Sequence, residues 1–322
     1  MPRLSIAQLR VGASVTKQAY LLRDKSVTTT RTGGAMLRVT LADRTGTIPG
    51  VLFDVPAYVV DSLVVGRGVL VTGRVGEFRE QVQLNLERIE PTELVHLEEY
   101  LPMARRPRAE MELEFTALCD GIENPQLSAL VTQVFDKATY DAFVVAPAAK
   151  SLHHATVGGL LEHTLAVVRL ALESARGYDE VNQDLLVTAA LLHDVGKIDA
   201  YDPITFAVTT DGALWGHLYM SAIRVERAMM QIEGFDAELR RRLIHAILAH
   251  HGKLEYGSPV LPMTLEALLV HHADQMDATV RGASEQLAAE GGQGAFTGES
   301  LMHETRLYRG EAGDRPTQDS LW

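Results

Sequence analysis

The stretch Leu191–Ile198 reads LLHDVGKI, and the setting of its two polar residues decides the fold assigned to the second part of the chain. The apolar run Val187–Leu192 (VTAALL) leads directly into His193 and Asp194, and Gly196 and Lys197 follow. The run predicts a helix that Gly196 ends. A histidine and an aspartate at its end are then expected to be buried or in a cleft. An ionised aspartate buried without a partner is costly. A metal ion is one natural partner, and a salt bridge to Lys197 is another.

The surrounding histidines sharpen that choice. Ten of the twelve lie between His153 and His272. Five groups stand out: His163, the pair His193–Asp194, His217, His250 with His251, and Asp274. They fall on separate predicted helices or helix ends, so only the fold can bring them together. Imidazole and carboxylate without thiolate suit Mn²⁺, Mg²⁺, Fe or Zn²⁺. Four histidines and two aspartates are more than one tetrahedral ion needs. They suffice for two octahedral ions completed by water, with one aspartate bridging. Two ions about 3.5–4 Å apart clamp a phosphoryl group and lower the pKa of a bound water, the equipment for phosphoester hydrolysis. His153, His245, His271, His272 and His303 are expected to be ordinary core or surface residues. The patterns HExxH, GxSxG, Walker A and GxGxxG are absent. The single cysteine, Cys119, excludes an internal disulfide and a thiolate zinc site, and is expected to be an inert buried thiol.

The chain of 322 residues has room for two domains. Residues 11–95 read as about five strands. In MLRVTLAD (Met36–Asp43), Leu37, Val39 and Leu41 alternate with Met36, Arg38 and Thr40. GVLVTGRVGEF and QVQLNLERIEP read as a Val- and Leu-rich hairpin. Five short strands suit a small closed barrel, with an OB-fold as the leading candidate and an SH3-like barrel as its rival. The Pro- and Arg-rich segment LPMARRPRAEME breaks both periods, and segments at helical spacing follow it. Among them, Asp236 is a predicted N-cap and Gly252 the stop of the same helix.

Net charge is −12, but residues 1–108 carry +4 and residues 109–322 carry −16. The first part can attract a polyanion, while the second needs cations to neutralise it locally. No apolar leader and no membrane-spanning run is read, so a reduced cytoplasmic setting is expected and no membrane partner.

The order H…HD…H…H…D, carried by His163, His193–Asp194, His217, His250 and Asp274, resembles the HD-domain metal-dependent phosphohydrolases. More narrowly, HHATVGGLLEHTLAVV, LLHDVGKI, GHLYMS and AHHGKLEYGSPVLPMTLEALLVHHADQMDA resemble the YhaM-type 3′→5′ exoribonucleases, as does the Asp43–Gly46 turn in LADRTGTIPGVLFD. The resemblance implies an N-terminal all-β OB-fold barrel followed by an all-α HD-domain helical bundle. The divisions drawn are 1–95 for the OB-fold, 96–125 for a linker and first helical segment, 126–290 for the HD domain, and 291–322 for a loosely ordered tail. It implies a 3′→5′ exonuclease on single-stranded RNA, extending to single-stranded DNA, with two divalent ions and manganese the usual one. By motif, His163, His193, Asp194, His217, His250 and Asp274 hold metal, Asp194 bridges, and His251 is an additional candidate. Lys197 and His154 are candidates for assisting catalysis. Lys25, Arg31, Arg38, Phe53, Phe78 and Lys253 are candidate nucleic-acid contacts, with Tyr20 a further candidate stacker. The alternatives are an HD-type hydrolase of free nucleotides with a regulatory barrel, and a non-catalytic nucleic-acid-binding protein. Whether the chain forms a homo-oligomer is left open.

Overall fold

The computed structural model describes residues 4–29, 33–78, 81–94, 99–149, 156–289, 294–300 and 303–310. The chain divides between Met103 and Ala104 into two compact units. This division falls inside the span read as a linker and first helical segment.

The first unit is a closed barrel of β1 (Ser14–Thr29), β2 (Ala35–Asp43), β3 (Gly46–Phe53), β4 (Gly68–Phe78) and β5 (Gln81–Thr92) in the order β1-β2-β3-β5-β4. All pairings are antiparallel except β3 with β5. A short helix, α1 (Ala57–Ser62), connects β3 to β4. This is the five-stranded OB-fold, and it displaces the SH3-like rival. Closure is possible because β1 is long and its register shifts between Leu22 and Asp24, so Leu21 pairs with Ala42 on one side and Gly68 on the other. The alternation in β2 is used as expected: Leu37, Val39 and Leu41 are buried in the barrel core, and Arg38 is exposed. The Asp43–Gly46 turn has a structural cause. The buried Asp43 carboxylate accepts the N–H of Thr45 (2.8 Å) and of Ile6 (2.9 Å), tying the N-terminal turn to the barrel.

One sequence expectation for this unit is corrected, and a second candidate, Lys25, has internal partners. Tyr20 is fully buried and its hydroxyl donates to the Leu4 carbonyl, so it belongs to the barrel core rather than to a stacking surface. The Lys25 ammonium donates to the carbonyls of Val60 (2.8 Å) and Leu63 (2.6 Å). A cation there complements the C-terminal end of α1. Its charge is engaged by the barrel's own helix.

The second unit is helical: α2 (Arg108–Asp120), α3 (Pro125–Val134), α4 (Lys137–Phe143), α5 (Gly159–Ala175), α6 (Gln183–Leu192), α7 (Lys197–Ala200), α8 (Thr210–Trp215), α9 (His217–Met229), α10 (Ala237–Ala249) and α11 (Leu265–Ala289). Met111 and Phe115 of α2 are buried in the same core, and Phe115 packs edge-on to Phe135. Helix α2, the first helical segment of that span, therefore packs as part of the bundle. Cys119 on α2 is partly buried, and burial, reinforced by Asp120, pushes its thiol up to about 12. The tail read as loosely ordered contains a two-stranded antiparallel sheet, β6 (Phe296–Ser300) with β7 (Thr305–Tyr308).

Helix α6 departs from the expected amphipathic pattern, because every residue from Leu185 to Leu192 is buried. A helix apolar on all sides sits at the centre of a bundle. Its start is fixed by Asn182, whose side chain accepts the Leu185 N–H. Helix α10 starts and stops as the sequence indicated. Asp236 accepts from Glu238 and Leu239, and Gly252 just beyond the helix has φ of +72°.

Gly196 has an ordinary right-handed conformation, so turn geometry does not explain it. Its reason is a close approach: an added Cβ would lie 2.4 Å from Ser221 N and 2.7 Å from His217 O, both backbone atoms of α9. The Gly196 N–H also donates to the buried Ser221 hydroxyl at 2.8 Å. The segment after α6 is thereby pinned against the first turn of α9. Gly196→Ala is expected to destabilise the bundle by about 1–3 kcal/mol through overpacking. Thermal melting followed by circular dichroism checks this. Gly177→Ala, where an added Cβ meets nothing within 4 Å, is the neutral control. Equal melting of the two variants would refute the packing argument.

Candidate metal centre

Five elements each deliver part of one cluster. His163 comes from α5, His193 and Asp194 from just past α6, and His217 from the first position of α9. His250 and His251 follow the end of α10, and Asp274 lies on α11.

The Asp194 carboxylate, 1% exposed, stands between two sets of imidazoles. Its Oδ2 faces Nε2 of His163 at 3.5 Å and of His193 at 3.3 Å. Its Oδ1 faces Nε2 of His217 at 3.4 Å and of His250 at 3.5 Å. Asp274 joins the first set, with Oδ1 3.1 Å from His163 Nε2. His251 joins the second, with Nε2 3.2 Å from His217 Nε2. Each of the groups His163–His193–Asp274 and His217–His250–His251 offers ligand atoms within 4.8 Å of one another. The order of residues along the chain thus resolves into two adjacent half-sites sharing Asp194.

Hydrogen bonding on the far side of the rings fixes what they present. His193 Nδ1 donates to the Ala190 carbonyl at 2.7 Å, and His250 Nδ1 donates to the Ile247 carbonyl at 2.6 Å. Both carbonyls belong to the last turn of the preceding helix, where carbonyls lack intrahelical partners. His251 Nδ1 donates to the Tyr256 carbonyl at 2.7 Å, and His163 Nδ1 to the Asp277 carboxylate at 2.7 Å. With Nδ1 carrying the proton in each, these four rings turn the Nε2 lone pair inward.

The chemistry of the donor set fits divalent cations. Both oxygens of Asp194 and His250 Nε2 are buried with no hydrogen-bond partner among the described residues. Buried polar atoms in that state are costly. The Lys197 ammonium forms an ion pair with Asp194 Oδ2 at 2.6 Å, outside hydrogen-bond geometry, and Oδ1 is faced by His217 and His250 instead. The salt bridge anticipated as an alternative to metal is therefore present beside the cluster but leaves the carboxylate unsatisfied. Nitrogen lone pairs 3.2 and 3.4 Å apart, as in His217–His251 and His163–His193, repel unless a cation or proton lies between them.

Electrostatics follow from the same packing. Burial opposes charge on His163, but Asp194, Asp274 and Asp277 outweigh it and hold its pKa well above the usual imidazole value. Burial likewise opposes ionisation of Asp194, yet Lys197 and His193 hold it well below the carboxylate range. Asp274 is also driven down, by His163 against its burial. Burial pulls Lys197 toward neutrality, and Asp194 more than restores its charge. His217 is driven well below its ordinary value by burial, the Asp194 charge being too little to restore it.

Asp277 was not singled out from the sequence. Its signal is its spacing, three residues after Asp274 and so on the same helix face. Tyr256 was missed as well, since it acts through its carbonyl. His271, read as an ordinary residue, donates from Nδ1 to the His250 carbonyl. Lys253 sits 5.1 Å above the Tyr256 ring. In the barrel, Arg38 and Phe78 line one cleft of about 480 Å³ together with Gln81 and Gln83. Phe53 is exposed at the end of β3, outside the residues lining that cleft. Arg31 and His154 lie outside the described residues.

Comparison with known proteins agrees with both units. Residues 160–279 match the HD domain, and residues 23–92 match an OB-fold nucleic acid binding domain. The 3′-5′ exoribonuclease YhaM of Oceanobacillus iheyensis is 31% identical over 264 residues, covering 80% of this chain and 82% of the relative. That of Bacillus subtilis is 32% identical over 272 residues, covering 83% and 86%. That of a Geobacillus species is 32% identical over 284 residues, covering 85% of each. With relatives this similar over nearly their whole length, the chain belongs to the YhaM 3′→5′ exoribonuclease family and is a metal-dependent nuclease of the HD class.

Proposed function

We propose that the protein shortens single-stranded RNA, and single-stranded DNA, from the 3′ end in the cytoplasm, with two divalent ions, Mn²⁺ foremost. The observation that carries this reading is Asp194, whose two buried oxygens each face a separate set of imidazoles. The first ion is assigned to His163, His193, Asp194 and Asp274. The second is assigned to His217, His250, His251 and Asp194. When bound, such a pair supplies Lewis-acid polarisation of the phosphoryl group and a solvent-derived nucleophile at neutral pH.

The chain's own residues do the rest. Asp194 holds its negative charge between the half-sites. Asp277 and the helix-end carbonyls keep the rings in one tautomer. Lys197 is charged and its side chain is 12% exposed, so its ammonium meets a phosphate oxygen that arrives beside Asp194. In the barrel, Arg38 and the exposed rings of Phe78 and Phe53 supply a cation and stacking platforms, the combination that holds a single strand without reading its sequence.

The decisive assay uses 5′-labelled single-stranded RNA and DNA with Mn²⁺. A ladder of 3′-shortened products that disappears with EDTA and in Asp194→Ala is expected. An intact oligonucleotide beside hydrolysed free nucleotides would overturn the reading. Asp277→Asn retains the ligand set but weakens the partner of His163, and is expected to lower Mn²⁺ affinity about 10–100-fold by calorimetry. Arg38→Ala and Phe78→Ala are expected to weaken binding of a non-cleavable strand, the phenylalanine by about 1–3 kcal/mol, while Mn²⁺ affinity stays unchanged.

A further inference from the structure

The residues of the centre are not equally covered. His193, Asp194 and His163 have side chains no more than 3% exposed, whereas His217 reaches 17%, Asp274 14% and Lys197 12%. His251, in the half-site of His217, is half-buried. The edge that His217 and His251 share is thus one exposed approach to the centre, beside Asp274 and Lys197.

The loop leaving that edge carries an aromatic residue whose ring the metal site does not use. After His251 and Gly252 the chain makes a 3-10 turn, Leu254–Tyr256, closed by Gly257. The Tyr256 carbonyl accepts from His251 Nδ1 at 2.7 Å, so the backbone of this residue is fixed directly against a ring of the half-site. Its side chain is free of that duty and 52% exposed. Lys253 lies 5.1 Å from the ring centroid, over one face. The ring is thus held by a cation on one side and remains open to solvent elsewhere. A half-exposed aromatic held beside a phosphate-processing edge has the chemistry to stack a nucleobase, and the ammonium behind it adds positive potential for the backbone.

We propose that Tyr256, backed by Lys253, stacks a base next to the scissile phosphodiester and so sets the strand end in the metal centre. The same residue joins two functions: its carbonyl orients His251, and its ring receives the substrate. This inference rests on the nuclease reading above.

The test measures steady-state degradation of a single-stranded RNA and of two analogues lacking the base at the terminal or the penultimate nucleotide, with Mn²⁺. Enzyme variants are Tyr256→Ala and Tyr256→Phe. Removing the aromatic ring is expected to raise KM for the intact strand about tenfold, with Phe restoring it. Removing one of the two bases is expected to raise KM of the wild-type protein similarly. That base loss then has no further effect in Tyr256→Ala. Because the backbone carbonyl is retained, Mn²⁺ affinity by calorimetry separates stacking from damage to the His251 half-site. Equal KM for Tyr256→Ala and wild type overturns the proposal, as do additive effects of base and ring. A wild-type protein that leaves every strand intact overturns the nuclease reading instead.

Discussion

A carboxylate removed from water with neither oxygen hydrogen-bonded is the condition on which this protein is organised. Asp194 can remain ionised there only because imidazoles, Lys197 and the cations the site is built for surround it. Every neighbouring feature serves that condition. Helix α6 is apolar on all sides because it must carry His193 and Asp194 to the middle of the bundle. Gly196 lacks a side chain because α9 must come close enough for His217 to reach the opposite oxygen. Asp277 lies behind His163 because a ring among three carboxylates needs its far nitrogen fixed.

Charge is divided in the same spirit. The bundle half of the chain carries a large negative excess, and its site is built from further carboxylates. It has little long-range attraction for a polyanion. The barrel unit is close to neutral, since Arg105, Arg106 and Arg108 of the basic first part fall in the helical unit, and its exposed Arg38 lies in a cleft with an aromatic ring. The barrel holds the strand, while the bundle makes up its deficit with metal.

Much of this was legible in sequence. The alternation of MLRVTLAD, the hairpin of β4 and β5 and the caps at Asp236 and Gly252 are local, and local signals survive folding. The residues that gather in the cluster were singled out from residue type and order, supported by a family resemblance. The division into two half-sites was not, because nothing in a string of five separated motifs says which imidazole faces which oxygen. Tyr20 was misread for a related reason. A tyrosine on a strand looks alike whether it points to solvent or inward, and only barrel closure put this one in the core. Tyr256 escaped notice because a backbone carbonyl has no sequence signature.

The carbonyls that lock His193 and His250 belong to the last turns of α6 and α10, where carbonyls lack partners within the helix. Metal retention and helix-end order are therefore two readings of a single equilibrium. Opening either last turn frees an imidazole to rotate, and a cation held by that imidazole holds the turn closed. The amides of those turns act as an internal gauge of occupancy: their hydrogen exchange slows as the centre fills. A strand end that draws on the same ions would be felt as rigidity at the ends of two helices.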